Sequence, residues 1–192
     1  MIKGLYKIFG HWYRGGRIYF YSDPHFADEE MKYLRKNYIG DAEQVKRINS
    51  KIGKCDTIIF LGDIGDVEWV KKVRGYKVLV KGNHDAGTSN YERTETNRLF
   101  DEVYEGVLTI SDKIILSHEP IEDLPAYLVN IHGHDHAASK RTDRHFNMCA
   151  EHIDYTPVSL NEIMEKEVYR KLDSIHRLTI DRATERKRNR EK

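Results

Sequence analysis

Short apolar runs alternate with helical patterns through the first half of the chain. Ile18-Tyr19-Phe20-Tyr21-Ser22 predicts a strand ending at Asp23, Thr57 to Leu61 a continuous apolar strand stopped at Gly62, and Tyr76 to Val80 another stopped at Gly82. Such unbroken runs mark strands covered on both faces. Between them, Asp41 to Ile52 places Val45, Ile48 and Ile52 on one helical stripe, with Asp41 as the expected N-cap, and Val67 to Val73 predicts a short helix. Later runs crowd together: Val103 to Ile110 and Lys113 to Ser117 around a Ser111-Asp112 hairpin turn, then Tyr127 to His132 and Phe146 to Ala150. Leu160, Met164, Val168, Leu172, Ile175 and Thr179 recur at helical spacing, so a C-terminal helix with a basic tail is expected over about 160–192. The early alternation implies βαβ units and a mostly parallel sheet, and the close later strands imply an antiparallel portion. The expected class is α/β, a layered sandwich forming a single domain over 1–192, without repeats or a Pro-rich linker.

Composition narrows the chemistry. The 192 residues suit one domain, and no apolar run approaches the roughly 20 residues that span a bilayer. The opening MIKGLYKIFGHWYRGG lacks the apolar core of a secretory signal, so a cytoplasmic protein without a membrane partner is expected. Only Cys55 and Cys149 carry thiols, which excludes a disulfide scaffold and a Cys-rich zinc module. Net charge is +1, with +4 in residues 182–192 and −3 in the rest, which weighs against a polyanion groove in the body of the chain. Ten histidines stand out, so any metal chemistry here must run on imidazole and carboxylate.

Five short segments close the predicted strands: Asp23-Pro24-His25, Gly62-Asp63, Gly82-Asn83-His84-Asp85, Ser117-His118 and Gly133-His134-Asp135-His136. In an open α/β sheet the carboxyl ends of the strands form the binding crevice, so these segments aim O and N ligands at one rim. Asp-x-His and His-x-His each put two side chains on one side of an extended segment. The glycines are expected to let the backbone turn sharply after its strand. Each pair alone is weak; the ordered set of five is specific.

On these motifs the chain resembles the calcineurin-like metallophosphoesterases over roughly residues 17–160, and the stretch from Asn147 through Asp154-Tyr155-x-Pro157-Val158-Ser159-Leu160 looks like the end of small bacterial and phage members. The resemblance implies a four-layer α/β/β/α sandwich of two mixed β-sheets flanked by helices. It implies two divalent metal ions, manganese first, with iron, zinc or nickel as alternatives. Carried over, Asp23, His25 and His136 would bind the first ion, Asn83, His118 and His134 the second, and Asp63 would bridge them. His84 would face the substrate and leaving group, and Asp85 would orient His84 through a hydrogen bond. Chemistry agrees: two close cations need a bridging carboxylate, and they lower the pKa of a water that can attack phosphorus. His84 fits a general acid.

The implied activity is metal-dependent hydrolysis of phosphodiesters or phosphomonoesters, on a small phosphoester such as a nucleotide, by a monomer or homodimer. A nuclease or nucleic-acid end-processing enzyme is the alternative, and a non-catalytic binding module is a third that the complete motif set disfavours. Asp28 stands where small members frequently carry His, which bears on the substrate pocket. Asp66 is expected to cap the helix at Val67. Of the remaining histidines, His11, His145, His152 and His176 are expected at surface or packing positions, and His132 as a hydrogen-bonded core residue. Cys149 is expected as a small buried hydrophobe.

Overall fold

The computed structural model describes residues 10–11, 14–85, 96–138 and 141–173. Strands β1 (Ile18–Tyr21), β2 (Thr57–Phe60), β3 (Tyr76–Val80), β4 (Glu102–Tyr104) and β9 (Val158–Ser159) make one sheet in the order β4-β3-β2-β1-β9. Strands β5 (Leu108–Thr109), β6 (Ile114–Leu116), β7 (Val129–His132) and β8 (His145–Asn147) make a second in that order. Both are mixed. The first four strands run parallel and β9 is antiparallel to β1; β6, β7 and β8 run parallel and β5 is antiparallel to β6.

The period-two alternation of β1 to β3 divides their side chains between two cores. Ile18, Phe20, Ile59, Leu61, Val78 and Val80 pack against Leu116, Val129 and Ile131 of the second sheet. Tyr19, Tyr21, Ile58, Phe60 and Leu79 pack against Val45 and Ile48 of helix α2 (Asp41–Lys51) and Val70 of the 3-10 turn Val67–Lys72. At about 1.5–3 kcal/mol for each fully buried large apolar side chain, this two-sided burial is what rigidifies the three central strands. The architecture is thus mixed α/β, two mixed sheets flanked by helices, as expected.

The outer face of the second sheet is buried yet polar. Asn130 donates to Ser117 Oγ (2.9 Å) and accepts from the Ile121 N–H (2.9 Å), while Asn147 donates to the carbonyls of Asp135 (2.7 Å) and Ala138 (2.9 Å). His145 Nε2 donates to the Ile121 carbonyl at 2.9 Å. These bonds clamp the connections after β6 and β7 onto the sheet, and those connections carry candidate site residues.

Several local expectations change. The run Val103 to Ile110 is two strands, β4 and β5, that belong to different sheets; Gly106 at φ +78° breaks it, and that break carries the chain from one sheet to the other. Gly40, not Asp41, occupies the N-cap of α2, and the Asp41 carboxylate accepts from the Ala27 N–H at 2.9 Å instead. Helix α1 (Met31–Leu34) was not foreseen. In place of one C-terminal helix, the structure has α3 (Leu160–Met164) and α4 (Glu167–Lys171), separated at Lys166, whose ψ of 138° leaves the helical region. The remainder of that helix and the basic tail, with His176, lie outside the described residues. Asp66 does cap the 3-10 turn, accepting from the Glu68 N–H. No helix among the described residues is long and apolar enough to cross a membrane.

Candidate metal centre

The five segments singled out in the sequence all leave carboxyl ends of parallel strands, β1, β2, β3, β6 and β7, and they meet at one edge of the sandwich. Past the ends of β1 and β2 the chain stays zipped: Asp23 N–H donates to the Gly62 carbonyl (3.0 Å), His25 N–H to Asp63 (3.1 Å) and Phe26 N–H to Ile64 (2.9 Å). Four of the site residues hold left-handed backbone, with φ of 54° at Asp23, 45° at His25, 53° at Asp63 and 65° at His134. Non-glycine residues avoid this region, at about 1–3 kcal/mol each, and such strain collects at functional sites. Here it swings the side chains out of the pleat toward a common centre.

Two groups of ligand atoms result. In the first, Asp23 Oδ1 lies 3.8 Å from His25 Nε2 and 3.4 Å from His136 Nε2. In the second, His118 Nε2 lies 2.8 Å from Asn83 Oδ1, 3.1 Å from His134 Nδ1 and 3.4 Å from Asp63 Oδ2. The same Asp63 Oδ2 stands 3.8 Å from His25 Nε2, so one carboxylate oxygen touches both groups.

Each group has the donors of a divalent-cation site, and the first shows it most directly. Asp23 Oδ1 and His25 Nε2 are buried, face each other and have no hydrogen-bond partner. A buried polar atom without a partner costs about 1–3 kcal/mol, and more when charged, unless a cation satisfies it. The donors are oxygen and imidazole nitrogen, the set that suits manganese, iron, zinc or nickel.

Surrounding contacts fix how each ligand presents itself. His118 Nδ1 lies 2.7 Å from the Leu61 carbonyl, which can only accept, so Nδ1 bears hydrogen and Nε2 faces the centre. Asp23 Oδ2 accepts from the His134 N–H (2.9 Å) and the Cys149 thiol (3.3 Å), leaving Oδ1 inward. Burial would raise the Asp23 carboxyl, but His136 and His118 beside it hold it well below the ordinary carboxylate range. Burial likewise pulls His118 down, yet Asp63 and Asp23 outweigh it and lift the imidazole to about 9. His136 is raised to about 9 by the Asp23 carboxylate beside it and then by Glu151, against burial. His25 has its pKa lowered, chiefly by burial.

Asp85 corrects an expectation. Its carboxylate accepts three backbone N–H groups, Asp63 (2.7 Å), Gly82 (2.8 Å) and Ile64 (2.9 Å), rather than the His84 ring. It therefore laces the second segment to the third and acts on His84 only through the loop. His84 itself is exposed at the mouth of the site, its N–H bound to Asp63 Oδ1 (2.9 Å) and its ring 5.7 Å from that of His25.

The glycines divide between the expected role and another. Gly62 does turn the chain, at φ +97°. Gly133 is needed for room: a Cβ there would lie 1.9 Å from Ser22 Oγ and 2.3 Å from Asp23 Oδ2. Neither neighbour is free to retreat, because Ser22 Oγ donates to the Leu61 carbonyl and Asp23 Oδ2 has two donors. Gly133→Ala should therefore destabilise the chain, because overpacking usually costs about 1–3 kcal/mol and exceeds the roughly 0.4–1 kcal/mol that reduced freedom of the unfolded chain gives in the opposite sense. Urea unfolding checks this, and an unchanged or raised midpoint would refute it.

His132 is a core histidine, fully buried, with Nδ1 2.8 Å from the Gly133 carbonyl and burial lowering it to about 4. His11, His145 and His152 bond to backbone carbonyls of Cys55, Ile121 and Asp135. Asp28 Oδ2 stands 3.7 Å from His25 Nδ1, beside the first group. Three residues around the site escaped the sequence reading: Arg35, Glu151 and the role of the Cys149 thiol. No spacing pattern joins them to the motifs.

A model of the calcineurin-like phosphoesterase superfamily domain matches residues 17–150. Among solved structures, the chain is similar to the crystal structure of the protein of unknown function AQ665 from Aquifex aeolicus, with a TM-score of 0.60 and 26% identity, covering 77% of this chain and 97% of that one. No curated protein matches the chain.

Proposed function

The chain belongs to the calcineurin-like phosphoesterase superfamily, a superfamily of metal-dependent phosphoesterases, and from that premise we propose that it hydrolyses phosphodiesters, with phosphomonoesters as secondary substrates, at a two-cation centre. The observation that carries the reading is Asp63 Oδ2, held within 3.8 Å of the first ligand group and 3.4 Å of the second. A lone carboxylate shared between two sets of inward imidazoles has the form of a bridge between two cations.

Asp23, His25 and His136 would hold one ion, Asn83, His118 and His134 the other, with Asp63 common to both. Manganese is the first choice for a set of two carboxylates, one amide oxygen and four imidazoles; iron, zinc and nickel suit the same donors. When bound, such a pair supplies a water of lowered pKa and Lewis-acid stabilisation of phosphoryl oxygens. The remaining work falls to the chain. Asp23 and Asp63, both held ionised, balance positive charge. The Leu61 carbonyl keeps the His118 ring in one orientation. His84, exposed at the mouth and tied through its N–H to Asp63, is placed to meet the leaving oxygen and give it a proton. Asn83, neutral where a carboxylate would add charge, keeps the centre attractive to an anionic ester.

Protein stripped with a chelator should lose hydrolysis of bis(p-nitrophenyl) phosphate and regain it on adding Mn²⁺, with two ions per chain at saturation. A substrate panel of monoesters, linear diesters and cyclic nucleotides on the same sample would rank the substrate classes. Absence of turnover on every ester with every divalent ion would sink the proposal, and a monoester preference would correct its substrate half.

A further inference from the structure

Behind the first ligand group lies a buried charged pair that the proposed reaction does not use. Glu151, on the 3-10 turn Ala150–Ile153 that follows β8, places Oε1 2.5 Å from His136 Nδ1. Its Oε2 lies 3.3 Å from Arg35 Nε, and the two side chains are only 14% and 3% exposed. Arg35 follows helix α1 and also donates from a terminal nitrogen to the Asp23 carbonyl at 2.7 Å. One guanidinium therefore grips the backbone of Asp23 and the carboxylate behind His136, two members of the same ligand group from opposite ends of the chain.

Such a pair is a poor source of stability. Taking both charges out of water carries a desolvation cost that the attraction between them often fails to offset. The geometry is not ideal either, since Arg35 Nε and Nη1 and Glu151 Oε2 are buried without a hydrogen bond. What the pair does accomplish is orientation. A carboxylate on one imidazole nitrogen makes that nitrogen the N–H side and turns the other lone pair toward the centre. The His136 side chain is itself 39% exposed, so among the described residues no other contact holds its ring as firmly.

We infer that Glu151, braced by Arg35, is the positioning residue of the first cation site: it holds His136 with Nδ1–H toward itself and Nε2 toward Asp23 Oδ1. The inference rests on the two-cation reading above. His118 in the second site is backed by the Leu61 carbonyl instead, so the two sites depend on different supports and should respond differently to loss of Glu151.

The test is Mn²⁺ binding to stripped full-length protein, by equilibrium dialysis, for the native chain and for Glu151→Gln. The native chain should bind two ions. Glu151→Gln should keep one class of site at its native affinity while the other weakens 10–100-fold, the range for losing a ligand's outer partner. Its Mn²⁺ resonance spectrum should then be that of an isolated ion where the native chain shows a coupled pair. Two sites of native affinity in Glu151→Gln would overturn the inference and leave the two-cation reading standing; a native chain that binds no ion would instead sink that reading. A second measurement needs no variant. Long-range ¹H–¹⁵N correlation on the Zn²⁺-loaded native protein should show His136 protonated at Nδ1, and an Nε2–H form would overturn the inference even if Glu151→Gln failed to fold.

Discussion

Asp63→Asn should remove activity by about 10³-fold or more and bring metal content from two ions per chain to one or none. The carboxylate has two separate duties. Oδ1 accepts the His84 N–H at 2.9 Å, and Oδ2 faces His25 and His118. An amide has one oxygen, so it can serve the loop or the centre but not both, and its NH₂ would turn a donor toward groups that need an acceptor. The lost negative charge also leaves any two cations repelling one another with nothing between them. Loss of a single well-placed electrostatic contact already costs 10²–10³ in turnover, and here the contact is shared by both sites. Metal analysis and diester turnover on one preparation decide the matter. Two ions per chain with activity within tenfold of native would show that Asp63 is not the bridge.

That the position of Asp63 could be read from sequence follows from the way parallel strands end. Thr57 to Leu61 is apolar throughout because both faces of β2 are covered, so Gly62-Asp63 announces itself as the point where the chain leaves the core. The same logic exposed Asp23, Asn83, His118 and His134, each one to three residues beyond a buried run. Registers between strands then brought the ends together. What sequence did not reveal is whatever depends on contacts across long separations. Arg35 and Glu151 are 116 residues apart and share no motif, and each alone reads as an ordinary surface charge. Cys149 has the burial of a small hydrophobe, but its bond to Asp23 is set by how β8 leaves its sheet next to β1, seen in the Ser22–Cys149 bridge. Asp85 illustrates the same limit: the family resemblance implies a bond to the His84 ring, while the fold spends the carboxylate on three backbone donors from two loops.

The failures in the fold have equally local causes. Val103 to Ile110 has one continuous strand-like composition, interrupted only by Glu105-Gly106, and the positive φ at Gly106 is enough to send its halves into separate sheets. The helical spacing from Leu160 persists through Lys166, but α3 buries Leu160 and Ile163 whereas α4 buries no residue fully, so tertiary packing does not enforce one continuous axis.

His84→Ala should lower kcat by about 10²–10⁴-fold, the usual share of a general acid, with both ions retained. The structure separates these two effects. His84 contributes its backbone N–H to Asp63 Oδ1, which alanine keeps, and its ring stands exposed at the mouth while the inward atoms belong to other residues. The size of the loss should depend on the ester. A nitrophenolate leaves without help, so the defect should be smallest on bis(p-nitrophenyl) phosphate and largest on diesters of simple alcohols, where the departing oxygen must be protonated. If the ring instead only bound the phosphoryl group, the defect would be the same for good and poor leaving groups. If metal content fell with activity, His84 would be a ligand. The pattern across leaving groups, measured with metal analysis on each sample, therefore tests the acid role directly, and it also tests the assignment of the four inward imidazoles, because a centre complete without His84 is what lets that side chain serve the substrate.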